Sequence, residues 1–265
     1  MILARGSKAA LVIRRGPSKH VATVAWDRRT DTFQLGQWLY GRIYERRCDL
    51  SPDGKRLIYF AMNGRWTSAA RGSWTAISRA PYLKAETLYA KGDCWHGGGL
   101  FLSSGEYWLN DGFGHVCLHD SAGLSRIGKY PWHEIYGGEC PGVYFIRLQR
   151  DGWKMGETVR DGRKGHVTVF EKSVKEHWRL RKHARSGDHP VGRSVNFDTH
   201  HLLNTKTGMT IDCSAWEWAD IDDKRLVWAT QGKLFAARLG THGLFRCEEL
   251  FDFNPMKFER IKAPY

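Results

Sequence analysis

Short apolar runs recur along the chain, separated by turns that carry Gly, Asp and Asn. The runs are rich in Val, Ile, Leu and aromatic residues, the composition that suits a pleated, half-buried surface. They predict strands over Arg56–Ala61, Trp74–Ser78, Val143–Leu148, His166–Phe170, Arg225–Thr230 and Lys233–Leu239. Few stretches carry a 3.6-residue period, so the pattern as a whole predicts an all-β chain.

The runs repeat in blocks. Cys48–Phe60 (CDLSPDGKRLIYF), then SWTAISR from Ser73 and AETLY from Ala85, matches Ala219–Thr230 (ADIDDKRLVWAT), then KLFAARL from Lys233 and CEELFDF from Cys247. Each block has an Asp-rich polar turn, then Lys-Arg-Leu-aliphatic-aromatic, then two further strands; Asp in such turns bonds its own backbone and stabilises a tight reversal. Weaker copies start near Leu11, Leu100, Val143 and Val195, and Cys48, Cys94 and Cys140 fall at equal intervals just ahead of three of the block starts. A period of roughly 40–50 residues is that of a propeller blade.

The stretch Leu50–Leu57 (LSPDGKRL) resembles the inner-strand hairpin of TolB-like and WD40-like propeller repeats. The resemblance covers one blade well and a second in part, and the chain as a whole reads as bacterial. It implies a β-propeller of five or six blades, a single domain over residues 1–265, with the tail Phe251–Tyr265 as its C-terminal closing strand. Ring packing buries faces that a lone blade leaves exposed. No Gly-His or Trp-Asp pair stands at the blade ends in the manner of true WD40 repeats, so their peptide-scaffold role is not implied. A two-sheet sandwich or an irregular open β protein is the competing architecture.

Charge narrows the candidate partners. With 41 Lys+Arg against 28 Asp+Glu the formal net charge is +13, which concentrates anions near the surface. The expected role is a binding or scaffold module whose basic face engages an anionic macromolecule, either nucleic acid or an acidic protein. Its anion-binding residues are Lys172, Lys175, Arg179, Arg181, Lys182, Arg185 and Arg193, read as an outer strand followed by a long basic loop, together with Arg65 and Arg71. Trp66 and Trp178, read as exposed, supply flat faces for stacked bases. No leader of signal-peptide type and no run long enough to span a bilayer appears, which predicts a cytoplasmic protein without membrane insertion.

The motifs of catalysis are mostly missing: there is no phosphate loop, nucleophile elbow or dinucleotide fingerprint, and no cofactor is called for. The triple glycine Gly97–Gly99 precedes an apolar strand and reads as a close-packing device. His115, Cys117 and His119 would share one face of a strand, with His96 or His133 as a fourth ligand for zinc; a polar outer face with a buried thiol is the simpler account. His200 or His201 would face Asp212 across a hairpin turned at Thr205–Gly208, a pairing that orients an imidazole for base work or is a plain surface contact. Asp49, Asp93 and Glu139, each next to a cysteine at a block start, would ring a central channel and give an alternative reading as a hydrolase with an acid/His site, or else they cap turns. A protein-assembly module is the third reading.

Overall fold

The computed structural model describes the whole chain except residues 17–18, 135, 137–139, 163–164, 188–195 and 242. Among the described residues the chain is all-β apart from one helix and one short 3₁₀ turn, and none of the five sheets they form closes on itself. It gathers into two compact units, residues 1–147 with 257–265, and residues 148–256.

In the first unit, β1 (Ile2–Leu3), β2 (Ala9–Arg15), β3 (His20–Asp27) and β4 (Thr32–Tyr40) form an antiparallel meander. The chain continues through β5 (Arg42–Ile43), β6 (Asp49–Leu50), β7 (Arg56–Met62), β8 (Ser73–Arg79) and β9 (Ala85–Ala90). Next come β10 (Gly99–Phe101), β11 (Glu106–Leu109), β12 (Val116–His119) and β13 (Ser125–Ile127). The second sheet runs β12-β9-β8-β7-β5, with β6 also paired to β7; the third runs β10-β11-β13.

The central strand β7 shows why its sequence is so uniformly apolar. Side chains alternate between faces along a strand. Leu57, Tyr59 and Ala61 pack with Ile2, Leu11 and Val21 of the first sheet. Ile58 instead packs with Phe101, Tyr107 and Leu109 of the third. The second sheet is therefore buried on both faces, and its predicted strands Arg56–Ala61 and Trp74–Ser78 fall inside β7 and β8. The triple glycine is a packing device as expected: a Cβ on Gly97 would lie 2.2 Å from the Phe60 ring, and one on Gly99 would lie 2.2 Å from the Trp108 carbonyl oxygen.

The expected strand over Val143–Leu148 is instead part of a helix, α1 (Pro141–Arg150). Pro141 suits a first helical turn, where its missing N–H would have no partner anyway. The Val143 and Tyr144 amides donate to the Cys140 carbonyl. At the other end Trp153 N donates to Leu148 O (2.9 Å) and Gly152 N to Gln149 O (3.1 Å), with Gly152 at φ +89°. That pair of bonds is the glycine-terminated Schellman ending. Val143 and Ile146, three apart, lie on one face and pack on Leu100 of β10.

In the second unit, β14 (Lys154–Asp161), β15 (Gly165–Lys175), β16 (Trp178–Ser186), β17 (Asn196–Asn204) and β18 (Thr210–Cys213) form a five-stranded antiparallel meander. A four-stranded meander follows, with β19 (Trp218–Asp222), β20 (Arg225–Thr230), β21 (Lys233–Gly240) and β22 (Gly243–Asp252). The predicted strands His166–Phe170, Arg225–Thr230 and Lys233–Leu239 lie within β15, β20 and β21.

The tail does not form the expected closing strand. Only Phe251 and Asp252 continue β22, and residues 253–265 carry no strand. Pro255 and Pro264 lack the N–H that ladder pairing needs. Residues 257–265 belong to the first unit, where Gln37 Nε2 donates to Ile261 O (2.8 Å) and Ala263 is buried. Among the described residues no helix is long and apolar enough to cross a membrane.

Candidate functional site

One end of the second sheet carries four chain segments side by side. Met62 pairs with Ser73, Trp74 with Ala90 and Ala90 with Val116 at this end, and Arg42 pairs with Met62. The loops that leave this end are residues 63–72, 91–98 and 111–115. Each presents a large exposed ring: Trp66 is 54 % exposed, Trp95 62 % and Phe113 90 %. Arg65 and Arg71 are exposed on the first of these loops. Neither guanidinium engages an acid among the described residues. Adjacent strands are about 4.8 Å apart, so β7 to β12 spans roughly 14 Å.

These loops are held firmly. Asn63 N and Gly64 N both donate to Gly72 O, and Arg71 N donates to Ser68 O. Gly72 has φ +77°, and a Cβ there would lie 2.5 Å from the Trp66 ring, so the indole rests directly on the glycine backbone. The Lys91 ammonium, almost fully buried, donates to Asp93 Oδ2 (3.1 Å) and to the Phe113 carbonyl, which ties the second loop to the third. Ser73 Oγ donates to Asp93 O (2.6 Å), tying the first to the second.

A polar relay runs beneath the same loops. Gly98 N donates to Thr75 Oγ1 (2.8 Å), Thr75 Oγ1 donates to His115 Nε2 (3.1 Å), and His115 Nδ1 donates to Asp111 (2.9 Å to Oδ1). Burial pushes the His115 imidazolium pKa down, against the pull of Asp111, so the ring is held neutral with its proton on Nδ1. Hydroxyl, imidazole and carboxylate stand in the order of a nucleophilic triad. Thr75 is fully buried, however, and its hydroxyl already accepts a backbone N–H. The relay fixes loops; no substrate reaches it.

This relay accounts for the first residue of the expected zinc set. His115 lies before β12 and points inward, whereas Cys117 and His119 are exposed. A register shift between Cys117 and His119 breaks the alternation that would have aligned them, and His119 Nδ1 donates to Glu86 O. Among the described residues no group of three or more His, Cys, Asp or Glu is arranged to hold a metal ion.

The channel acids have separate local partners. Asp49 is buried and its Oδ2 accepts from Phe101 N (2.8 Å), linking β6 to β10. Asp93 caps its own loop through Trp95 N (2.9 Å) and pairs with Lys91. Glu139 lies outside the described residues. The hairpin turned at Thr205–Gly208 does form, and His201 stands opposite Asp212. The Asp212 carboxylate nevertheless accepts from Ser214 (2.9 and 3.0 Å), and His200 points inward opposite Cys213.

The basic stretch from Lys172 differs most from its expectation. Trp178–Ser186 is the strand β16, with Trp178, Leu180, Lys182 and Ala184 buried in strict alternation. Trp178, read as exposed, is 2 % exposed and donates its indole N–H to Gly240 O (2.9 Å). Lys182 is also 2 % exposed; its ammonium sits 4.6 Å from the Trp153 ring centre and 3.9 Å from Asp198. Lys172 pairs with Asp220 at 2.7 Å. On the opposite face Arg181 binds Glu171 and Arg185 binds Asp161. Arg179 folds onto the carbonyls of Lys175, Glu176 and Trp178. Lys175 is exposed at the hairpin tip, and Arg193 lies outside the described residues. Alternation along β16 sends the cations to two faces, and acids on neighbouring strands neutralise most of them.

The exposed rings Trp95 and Phe113 were missed by sequence reasoning. The available signal was local and weak: Trp95 sits in Asp-Cys-Trp-His-Gly and Phe113 in Asp-Gly-Phe-Gly, both turn-rich contexts. No protein-family model and no curated protein matches the chain.

Proposed function

We propose that the protein is a non-enzymatic binding module for single-stranded nucleic acid, and that the loop platform of Trp66, Trp95 and Phe113 with Arg65 and Arg71 is its binding face. The observation that carries this reading is three large rings exposed on three cross-tied loops at one end of one sheet. Exposed apolar surface gathered in one place, unlike rings scattered singly, marks an interaction site. Bases stack on such rings irrespective of sequence, at about 1–3 kcal/mol per base, while arginines follow the phosphates. The rigidity beneath the loops lowers the ordering cost of binding.

The reading extends to the architecture. Antiparallel four-stranded meanders such as β1–β4 and β19–β22 are blade-sized, and a sheet buried on both faces is what face-to-face blade packing requires. Both features support a propeller of five or six blades presenting loops at its rim.

The test is fluorescence anisotropy with labelled single-stranded DNA, single-stranded RNA and duplex DNA across a salt series, with heparin as competitor. Micromolar or tighter binding of single strands, weaker binding of duplex and a steep loss with salt are expected. Replacing Trp66 and Trp95 together by Ala should weaken binding by about tenfold or more. Absence of binding at low salt overturns the proposal. So does binding that heparin matches and the double variant leaves unchanged; an acidic protein partner then takes its place.

A further inference from the structure

The opposite end of the same sheet holds a half-open pocket of about 590 Å³. Its wall is the Asp53–Arg56 turn, the blade-marking segment of the sequence, together with Arg79, Tyr82 and Tyr265. β7 and β8 are each seven residues long, so this pocket lies about 20 Å of strand from the aromatic loops.

Three cations, Lys55, Arg56 and Arg79, line it, and a single carboxylate holds the two arginines. Glu86 takes Arg56 Nε on Oε2 (3.3 Å) and Arg79 Nε on Oε1 (2.6 Å), one guanidinium per oxygen. Arg79 contributes only Nε to that pairing, and its two terminal nitrogens have no partner among the described residues. Its guanidinium carbon lies 4.7 Å from the centre of the Tyr265 ring. Lys55 is exposed, and its ammonium makes no close ion pair among the described residues, though its charge acts on the neighbouring Asp53. The one acid in the wall, Asp53, is turned into its own hairpin: it accepts from Ser51 Oγ (2.6 Å) and Lys55 N (3.1 Å).

The flat part of the site is equally fixed. The Tyr265 hydroxyl accepts from Arg79 N (3.1 Å) and donates to Lys84 O (2.6 Å), so both of its hydrogen-bonding roles are filled and the ring is pinned. Tyr82 meets it edge to face, with ring centres 6.2 Å apart. A pinned aromatic wall beside an unfilled guanidinium fork and an exposed ammonium matches a ligand with an anionic head and a flat ring. A lone carboxylate is satisfied by one fork, whereas a dianionic tetrahedral phosphate uses both the fork and the ammonium.

We infer that this pocket is a binding site for a small aromatic phosphomonoester, with Arg79 and Lys55 on the phosphate, Tyr265 against the ring, and Glu86 as the residue that positions the two arginines. The volume suits a ligand of that size.

The experiment is isothermal titration calorimetry on the full chain with phenyl phosphate as probe, and with phenol and inorganic phosphate as comparators. Phenyl phosphate should bind one per chain, inorganic phosphate more weakly and phenol not measurably. Arg79→Ala should weaken phenyl phosphate binding by about tenfold. Lys55→Ala, which truncates an exposed side chain and leaves the turn's backbone bonds in place, should weaken it by about threefold. Arg71→Ala, at the far end of the sheet, should leave it unchanged, which separates this site from the aromatic loops. No binding at millimolar probe overturns the inference. So does binding that neither Lys55→Ala nor Arg79→Ala alters, or phenol binding as tightly as its phosphate ester.

Discussion

Two stretches of the chain look alike as sequence and have opposite fates. Residues 65–74, RWTSAARGSW, and residues 178–185, WRLRKHAR, both interleave arginine with tryptophan. In the first, Trp66 stands on a loop at 54 % exposure, and Arg65 and Arg71 pair with no acid among the described residues. In the second, Trp178 is buried at 2 %, Lys182 lies beside Asp198, and Arg181 and Arg185 are matched by Glu171 and Asp161. The difference is the backbone. A strand inside a meander places every second residue in the core and sets each outward charge opposite a neighbour. A loop closed on glycine has neither constraint. Basic composition therefore identifies a binding face only where no adjacent strand supplies the counter-charge.

The largest consequence concerns stability. Trp178→Ala removes a buried indole and its bond to Gly240, and should lower the unfolding free energy by about 3–5 kcal/mol. Trp66→Ala should change it by less than about 0.5 kcal/mol. Urea unfolding of the two variants measures the contrast; equal losses would place both rings in a core. Lys182→Met extends it, because loss of the buried ammonium leaves the half-dry Asp198 carboxylate without it, at a cost of about 3 kcal/mol. Lys175→Met, at the exposed hairpin tip, should be near neutral in the same titration.

A smaller effect is set by pH. His200 Nδ1 donates to Trp216 O (3.1 Å), and its Nε2 is buried without a partner. Burial, aided by the nearby Lys182 charge, holds its pKa down to about 3, against 6.5 for an unhindered histidine. The folded chain thus declines a proton that the unfolded chain accepts below pH 6.5. The stabilisation is complete above that pH and falls as pH drops, by about 1.4 kcal/mol per unit for this residue. His183, held at about 4 by partial burial and the adjacent His201, adds a similar slope of the same sign over a shorter pH range. Urea midpoints between pH 6.5 and 5 lie above the range where most carboxylates titrate, and should decline with acid. His200→Gln should flatten the decline whatever it does to the midpoint itself, and an unchanged slope would show that the imidazole is not held neutral.

The all-β class and five of the six predicted strands were legible because β7, β8, β15, β20 and β21 announce themselves in apolar and aromatic content. The close packing at Gly97–Gly99 was legible too, since a glycine run ahead of an apolar strand has few other uses. Val143–Leu148 misled because VYFIRL satisfies strand composition and helical spacing alike. The deciding marks were Pro141 before it and Gly152 after it, which speak only when read together. At the candidate site, Arg65, Trp66 and Arg71 were legible as a basic-aromatic cluster. Their convergence with Trp95 and Phe113 was not, because the sheet order β12-β9-β8-β7 brings together loops nearly fifty residues apart. Counter-charges were invisible for the same reason: Glu171, Asp161, Asp198 and Asp220 reach their partners across strands.

The contrast between the two basic stretches has its finest test in the salt dependence of single-strand binding. A cation already neutralised by a carboxylate releases no counterion when a phosphate approaches. One without an acid releases nearly one, which adds to the slope of log K against log salt, by about 0.7 per contact on a single strand. Arg65→Gln and Arg71→Gln should each reduce that slope by somewhat under 1, and together by roughly twice as much, while the stacking contribution at high salt persists. Arg181→Gln and Arg185→Gln should leave the slope where it is. They should leave binding at low salt unchanged as well, because strand pairing, not ligand, has shaped the face they occupy. Should the slope instead fall with Arg181 or Arg185 and not with Arg65 or Arg71, the nucleic acid lies along β16. Exposed aromatic loops would then have to be explained by some other partner.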